Sequence, residues 1–376
     1  MLSYRYRLYP SKTIQTRLNE QLGLCRWLYN RLLYELNKAR KQGRKITQKD
    51  TQSRIVELKK EEKPELKKVY SKVLQMVNYQ LWSNIKALSR LKKNGKKIGK
   101  LRYKTGNSFK TLNFNQSGFK IENNKLILSK VRAIPIKVHR KIEGKIKGVI
   151  IKREKSGKWY AIFQVEDEPK PLPKTGKAIG IDVGLRYFST DSDGRQIENP
   201  RFYEKTLKRI RKLQKDLSRK KKGSKNWEKC RIKLAKTYEK LVNQRDDFLH
   251  KLSRFYVNNY DVIVVENLKI RNMVKNHRLS SKILDASWGK FLQMLSYKAE
   301  RAGRILLKVN PRDTSEGLTF DDPCRDFISA NRILARGLGR PFQPVEGRPL
   351  LLVTALAVIE GQVSSMKQEA PCVSEG

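Results

Sequence analysis

The chain has 376 residues, which is enough for two or three domains with hydrophobic cores. It contains 84 lysines and arginines against 36 aspartates and glutamates, and its formal net charge is +48. A surface this basic attracts polyanions, so nucleic acid is the predicted partner and an anionic membrane is the weaker alternative. The longest mostly apolar stretch, residues 350–359, is too short to cross a bilayer, and the N-terminus has no apolar signal core. We therefore expect a cytoplasmic protein with no membrane partner.

The cysteines and histidines are scattered along the chain and form no metal-binding motif. No two of the four cysteines lie at the short spacing of a zinc clip, and the three histidines are isolated. We interpret all seven as core or surface residues. They are Cys25, Cys230, Cys324, Cys372, His139, His250 and His277. Zinc is therefore not expected from this sequence.

The N-terminal part combines one short strand with a long helical segment. Alternation of apolar and basic residues over 4–8 predicts a strand that ends at Pro10. Apolar residues then recur every three or four positions from 11 to 91, which indicates helices on either side of a polar connection at 42–63. A short helix is expected within that connection. Glycine and asparagine within 92–100 end the helical part.

Residues 101–168 return to a period of two, with short strands between glycine and asparagine turns. The candidate strands are 111–114, 119–121, 126–128, 134–136, 149–151 and 159–165. Closely spaced strands of this kind favour a small barrel, which the strand at 4–8 could join. The helical segment would then be an insertion into the barrel. The proline-rich run 169–174 predicts a stiff linker and a domain boundary.

A third pattern begins after Lys177 and alternates strands with helices. Strands are predicted at 178–183, 186–190, 262–266 and 305–309, and helices at 203–221, 225–258, 288–302 and from Asp326 onward. This order suits an α/β domain of the RNase H-like kind. Residues beyond 337 are rich in proline and glycine as far as 349. The apolar patch 350–359 is expected to dock on the domain, and 361–376 to be disordered.

Three acidic residues stand out in this basic chain. A carboxylate in an apolar strand is costly to bury. A carboxylate near a bound phosphate backbone would also repel it unless metal ions lie between them. Asp182 lies in an apolar run, Glu266 ends another, and Asp326 begins the last helical pattern. Strand ends of this kind are where α/β proteins form their sites. A solvated strand end remains the alternative interpretation of Glu266. For Asp326 the alternative is helix N-capping, and Asp321 and Asp322 compete for the same place.

Carboxylates beside a phosphate backbone indicate metal-dependent cleavage of nucleic acid. Phosphodiester hydrolysis needs an activated water and stabilisation of the leaving oxygen, and two divalent ions about 3.5–4 Å apart supply both. Mg²⁺ and Mn²⁺ prefer carboxylate oxygens. We therefore interpret Asp182, Glu266 and Asp326 as candidate ligands of Mg²⁺ or Mn²⁺, supplied by a first strand, a later parallel strand and a final helix.

Several motifs in the second half of the chain occur in a fixed order. They are Gly180-Ile181-Asp182-Val183-Gly184, Asp216-Leu217-Ser218-Arg219-Lys220-Lys221 with Gly223-Ser224 after it, Arg245-Asp246-Asp247-Phe248-Leu249-His250-Lys251, Val265-Glu266-Asn267-Leu268 and Trp288-Gly289. With these motifs and the N-terminal Arg7-Leu8-Tyr9-Pro10, the chain resembles the TnpB family of transposon-encoded, RNA-guided DNA endonucleases. This family is related to type V CRISPR effectors, and the resemblance covers most of the chain.

The resemblance implies a multidomain α+β architecture. A small wedge β-barrel with a helical recognition insertion would be followed by an RNase H-like nuclease domain of the RuvC type. The implied divisions are 1–10 and 101–168 for the barrel, 11–100 for the insertion, 169–176 for a linker, 177–337 for the nuclease domain and 338–376 for a partly disordered tail.

The resemblance also implies partners and residue roles. The partners would be a structured guide RNA and target double-stranded DNA, which is cleaved beside a short flanking motif. By motif match, Asp182, Glu266 and Asp326 fall on the family's catalytic triad. The positions implied to contact the flanking DNA motif are Lys72, Gln75 and Thr111. A solvated helix face is the alternative for the two of these that lie on a predicted helix.

One departure from the family pattern concerns zinc. The family usually carries two Cys-x-x-Cys pairs between a Pro-x-x-Thr-Ser segment and the last aspartate. Here that segment, at 311–315, is followed closely by Asp326, with only Cys324 between them. A single cysteine cannot hold zinc, so the zinc ribbon is expected to be missing. Two functions remain open, an RNA-guided endonuclease and a repressor-like RNA-guided protein that binds DNA without cutting. A DNA-strand transferase fits the motifs poorly.

Overall fold

A computed structural model describes residues 1–106, 108–319, 322, 324–343, 349–363 and 367–371. The chain divides into two compact units, Met1–Glu168 and Pro169–Gly376. Within the described ranges, no helix is both long and apolar enough to span a membrane.

The first unit consists of one strand, a helical segment and six further strands. Its elements are β1 (Leu2–Leu8), α1 (Lys12–Lys41), α2 (Gln48–Glu57), a π-helical turn (Leu58–Glu62), a 3-10 turn (Pro64–Lys68), α3 (Ser71–Lys93), β2 (Thr111–Asn115), β3 (Phe119–Glu122), β4 (Lys125–Leu128), β5 (Arg132–Lys137), β6 (Lys145–Arg153) and β7 (Trp159–Glu166). Every strand and helix predicted for this part of the chain is present, with ends shifted by a few residues.

The seven strands form one antiparallel sheet in the order β2-β6-β7-β1-β5-β4-β3, which makes it a near-barrel. The N-terminal strand lies at its centre, where Tyr4 and Tyr6 face inward. Leu28 of α1 and Leu74 of α3 share a single hydrophobic core with Phe114 of β2. The helical segment is therefore packed against the sheet.

The second unit alternates strands and helices. Its elements are β8 (Ala178–Asp182), β9 (Tyr187–Asp191), β10 (Arg195–Glu198), α4 (Phe202–Ser218), α5 (Lys225–Asn259), β11 (Val262–Glu266), α6 (Ile270–Met273), α7 (Ser280–Ala286), α8 (Trp288–Ala302), β12 (Ile305–Val309), α9 (Arg325–Gly337), β13 (Pro349–Val353), α10 (Ala355–Glu360) and β14 (Lys367–Pro371). The strand after the Asp193-Gly194 turn, β10, was not among the predicted elements.

The strands of this unit form a mixed sheet in the order β12-β11-β8-β9-β10-β13-β14. β8, β11 and β12 are mutually parallel, whereas β9 is antiparallel to both of its neighbours. The two faces of the sheet are covered by different helices. Ile181 and Val265 pack in a core with α5 and α8, whereas Val264 packs with Ile333 of α9 on the opposite face. This division decides where the acidic residues lie.

The C-terminal part differs from the separate tail predicted for 338–376. β13 pairs with β10 in parallel and extends the sheet, and β14 pairs with β13. Leu350, Val353 and Val358 are buried, so the apolar patch completes the unit as the docking prediction required. The disorder predicted for 361–376 falls partly outside the described residues, at 364–366 and 372–376.

The proline-rich run at the start of the second unit packs closely against the rest of that unit. The Leu172 backbone N–H donates to the carbonyl of Ala302 at 3.0 Å, and the buried Arg304 donates to the Pro173 carbonyl at 2.8 Å. This run was predicted as a stiff linker, and the structure shows that it also makes hydrogen bonds to distant residues. Its composition gave no sign of these contacts.

Candidate active site

Asp182 and Glu266 end two neighbouring parallel strands. β8 and β11 pair in register as far as Ile181 and Val265, so the next residue on each strand is one of the two acids. Side chains alternate along a strand, and Asp182 therefore shares a face with Gly180, and Glu266 with Val264. That face is the one covered by α9. Both carboxylates are half-buried at the carboxyl edge of the sheet.

Two glycines let α9 lie directly on the strands. A Cβ at Gly180 would be 2.1 Å from the Ala330 carbonyl oxygen and 2.8 Å from Leu334 Cβ. A Cβ at Gly337 would be 2.4 Å from a methyl carbon of Val264. Both distances are far below van der Waals contact, so only glycine permits this separation between helix and sheet.

The close packing places Asp326 beside the end of β8. Asp326 precedes Ala330 by four residues, about 6 Å along the helix axis, and the two share a helix face. Its Oδ2 lies 3.8 Å from the Cβ position of Gly184, just beyond the end of β8. The helix thus runs back over β8 and brings its first turn to the Asp182 end of the strand.

The capping alternative for Asp326 does not agree with the geometry. The helix begins at Arg325, so Asp326 lies inside its first turn and not at the N-cap. Asp322 Oδ1 instead accepts a hydrogen bond from the Cys324 backbone N–H at 2.7 Å. Asp321, the other competing acid, lies outside the described residues.

Each of the three carboxyl groups resists ionisation. Burial raises the pKa of Asp182 well above the usual value, and the charges of Glu266 and Asp326 raise it further. The Arg325 guanidinium and a hydrogen bond from the Val183 N–H oppose that shift. Glu266 and Asp326 therefore each lie near enough to Asp182 for their charges to act on it.

Glu266 and Asp326 are also raised in pKa by burial, and each has its own counteracting groups. The Thr314 hydroxyl donates to Glu266 Oε1 at 2.6 Å, and this bond and the charge of Arg336 lower the Glu266 pKa. Arg325 and Arg186 act on Asp326 in the same direction. Thr314 belongs to the Pro-x-x-Thr-Ser segment at 311–315, but it was not predicted as a site residue.

The donor set fits a hard divalent cation. Three carboxylates supply only oxygen ligands, and they repel one another unless a positive charge lies between them. In the described part of the chain, no three acidic, histidine or cysteine side chains already form a closed metal cluster. As placed here, Asp182, Glu266 and Asp326 lie near one edge of the sheet without forming such a cluster.

Two long basic helices of the same unit carry solvent-exposed cations. α5 presents lysines at intervals of four, three and four residues, which places them on one face. They are Lys229, Lys233, Lys236 and Lys240. Both helices were predicted from the sequence.

The residues predicted to contact DNA lie in the first unit. Lys72 and Gln75 are on the first turns of α3, and Thr111 begins β2, which packs against α3. All three are half-buried. Their proposed contact with DNA stays a prediction.

Family models match three parts of the chain. Residues 162–277 match "Probable transposase", 1–45 match "Helix-turn-helix domain", and 288–320 match "Cas12f1-like, TNB domain". In this structure the span 1–45 contains one strand and one long helix.

Two curated relatives match over most of their length. A Streptomyces pristinaespiralis protein named "Putative RNA-guided DNA endonuclease" is 32% identical over 317 residues, which are 82% of this chain and 77% of that protein. The Escherichia coli K12 protein "Putative RNA-guided DNA endonuclease InsQ" is 29% identical over 353 residues, 88% of this chain and 85% of its own.

A solved structure is similar in fold. A chain of the "Cas12f1-sgRNA-target DNA complex" superposes with a TM-score of 0.52 at 14% identity, over 86% of this chain and 83% of that one. The class defined by these matches is that of transposase-related proteins with a Cas12-like multidomain fold. The chain belongs to the TnpB family.

Proposed function

We propose that this protein is an RNA-guided DNA endonuclease whose cutting site consists of Asp182, Glu266 and Asp326. The observation that carries the proposal is the convergence of these acids from β8, β11 and α9 at one sheet edge. They are far apart in sequence, and clustering them costs repulsion that no packing requirement explains. Perturbed carboxylates of this kind mark functional sites.

The strand order supports an RNase H-like nuclease domain of the RuvC type in the second unit. Three antiparallel strands, β8, β9 and β10, are followed in the chain by β11 and β12, which add in parallel on the other side of β8. The proposed carboxylates then lie on the central strand, on its parallel neighbour and on a helix that covers both.

Asp182, Glu266 and Asp326 are the residues that would hold Mg²⁺ or Mn²⁺. When bound, the ions supply an activated water and charge stabilisation for the leaving oxygen. The protein's own contribution is to aim the ligands. Thr314 fixes one oxygen of Glu266, and the Gly180 contact fixes the position of the helix that carries Asp326. Zinc has no place in this proposal.

The proposed partners are a guide RNA and double-stranded DNA. The names of the relatives and of the similar complex support this, as does the net charge of +48. Guide pairing would read the target sequence, while the protein reads a short flanking motif. We assign that reading to Lys72, Gln75 and Thr111, and phosphate contacts to the lysine face of α5, with an affinity that falls steeply with salt.

A second candidate is an RNA-guided DNA-binding protein of repressor type that does not cut. It is favoured by the short segment between 315 and Asp326, which lacks the paired cysteines usual in the family. The clustered acids favour the nuclease, because binding alone has no need of them.

Purification with the bound RNA separates the two candidates. Sequencing the small RNA that copurifies identifies the guide, and a plasmid with the matching target then tests cutting with Mg²⁺. The nuclease proposal predicts linear plasmid. Target binding by the wild type without any cutting would support the repressor-like candidate and contradict the nuclease.

A further inference from the structure

A cleft opens at the same sheet edge as the proposed carboxylates. It has a volume of about 740 Å³ and lies where β11 and β12 end, between the residues that follow each strand. Asn267, directly after Glu266, lines one wall, and Asn310, directly after β12, lines the other. The Asn267 backbone N–H donates to the Val309 carbonyl at 2.8 Å, which fixes the two walls relative to each other.

All the charged residues that line this cleft are cations, and they lie beside the apolar Leu268, Met273, Val309 and Pro311. Lys269, Lys308 and Arg312 line it, all three are exposed, and no carboxylate is among the described lining residues. Within the described ranges, none of these three cations forms an ion pair with an acidic side chain. Two asparagine side chains add neutral donors. The cleft is therefore built for an anion that is long enough to meet several cations at once.

One short segment joins the cleft to Glu266. Residues 310–314 leave β12, contribute Asn310 and Arg312 to the cleft, and end at Thr314, which donates to Glu266. Arg336 of α9 braces this segment by donating to the carbonyls of Asn310, at 2.8 Å, and of Arg312. A strand held in the cleft would therefore be held at a fixed position relative to the carboxylates.

We propose that this cleft binds the phosphodiester backbone of the single DNA strand that is being cut, next to the scissile phosphate. This inference rests on the proposed function and deepens it, because it assigns the path of the strand. The ligands are phosphates, which Lys269, Lys308 and Arg312 contact, while the asparagine amides donate to sugar or base oxygens.

Photo-crosslinking tests the cleft without requiring cutting. A benzophenone amino acid replaces Lys308 in the guide-loaded, full-length Asp182→Ala protein, which is irradiated with end-labelled target DNA. The same amino acid at Ile305, which is exposed at the opposite end of β12, is the matched control. We expect crosslinks to one DNA strand from position 308, and at least tenfold fewer from 305. Equal yields, no crosslink at 308, or crosslinks to the guide RNA alone would overturn the proposal.

A charge-neutral triple variant measures the consequence for cutting. Lys269→Gln, Lys308→Gln and Arg312→Gln together should slow single-turnover cutting about tenfold or more, because the strand loses its position. A control triple, Lys275→Gln, Arg278→Gln and Lys282→Gln, removes exposed cations beyond the cleft and should stay within about threefold of the wild type. Equal slowing by both triples would remove the cleft from the mechanism.

The two experiments separate failure of the cleft from failure of the nuclease. Crosslinks at 308 in a protein whose wild type does not cut would leave the cleft as a DNA site and reject the nuclease. Normal cutting by the Lys269, Lys308 and Arg312 variant, with no crosslink at 308, would reject the cleft as a DNA site and keep the nuclease proposal.

Discussion

Gly180 of β8 lies in direct contact with the backbone of Ala330 in α9, and no side chain fits between them. This contact sets the height of the helix above the sheet, and with it the position of Asp326 relative to Asp182. A glycine that looks like an ordinary strand residue in the sequence therefore controls the geometry of the candidate site.

Gly180→Ala should move α9 away from the strand. The new methyl group would meet backbone and not a flexible side chain, so we expect a loss of about 1–3 kcal/mol in the free energy of unfolding. Cutting should fall with it, because Asp326 moves with the helix. Urea unfolding and single-turnover cutting measure both effects. Gly289→Ala, whose Cβ would meet only Ile270 Cδ1 at 3.4 Å, is the control and should lose no stability.

Thr314→Val should release the Glu266 carboxylate while keeping the shape of the buried side chain. A hydrogen bond to a charged group is worth about 1.5–3 kcal/mol, so the cutting rate should drop by about tenfold or more. Thr314→Ser keeps the hydroxyl and should retain a rate close to that of the wild type. Equal rates for the Val and Ser variants would show that this bond does not position Glu266.

Arg195→Met should strongly destabilise the second unit. The Arg195 Nε donates to the fully buried Asp191 carboxylate at 2.8 Å, and losing it leaves a buried acid without its cation. The expected cost is about 3–5 kcal/mol in the free energy of unfolding, measured by urea. Lys251→Met removes an exposed ion pair with Asp247 and should cost about 0–1 kcal/mol. Similar losses for both variants would contradict this account of the network.

Lys298 should make the stability of the second unit depend on pH. Burial lowers the pKa of this lysine to about 7, with a smaller effect from Arg254. Its Nζ donates to the His250 carbonyl at 2.6 Å and to Ser253 Oγ at 2.7 Å. Between pH 7 and the ordinary lysine range the unfolded chain holds the extra proton, so stability rises with pH in this window.

The variant Lys298→Met removes that dependence. Urea midpoints measured upward from pH 7 should show the wild type gaining stability relative to the variant. Lys290→Met, on the exposed side of the same helix, should keep the slope of the wild type. A constant difference between wild type and Lys298→Met at every pH would contradict the lowered pKa.

Much of the fold could be predicted from local patterns in the sequence. The alternation at 4–8 and the helical repeat of α1 depend on neighbours in sequence, and both elements formed where predicted. β10 was not predicted because three of its four residues are polar or charged, so its sequence does not resemble a buried strand. Arg195 is buried there nevertheless, because its guanidinium pairs with the Asp191 carboxylate. The C-terminal strand β13 was missed as part of the sheet because its pairing partner is distant in sequence.

The acidic residues of the candidate site could be predicted from the sequence, but the residues around them could not. Asp182 and Glu266 could be recognised from their strand contexts, and the family motif added Asp326. Thr314 gave no signal of its own, because a threonine in a loop has many ordinary roles. The three cleft cations lie after β11, within β12 and in the segment that follows β12, and only the folded sheet edge brings them together.

Cutting by guide-loaded protein with and without Asp182 tests the central claim most directly. Wild type and Asp182→Ala are compared on a matched plasmid with Mg²⁺, and target binding is measured for each in parallel. We predict that the wild type linearises the plasmid, while Asp182→Ala binds the target equally well and leaves the plasmid intact. Cutting by Asp182→Ala at the rate of the wild type would contradict the assignment of this carboxylate to the reaction.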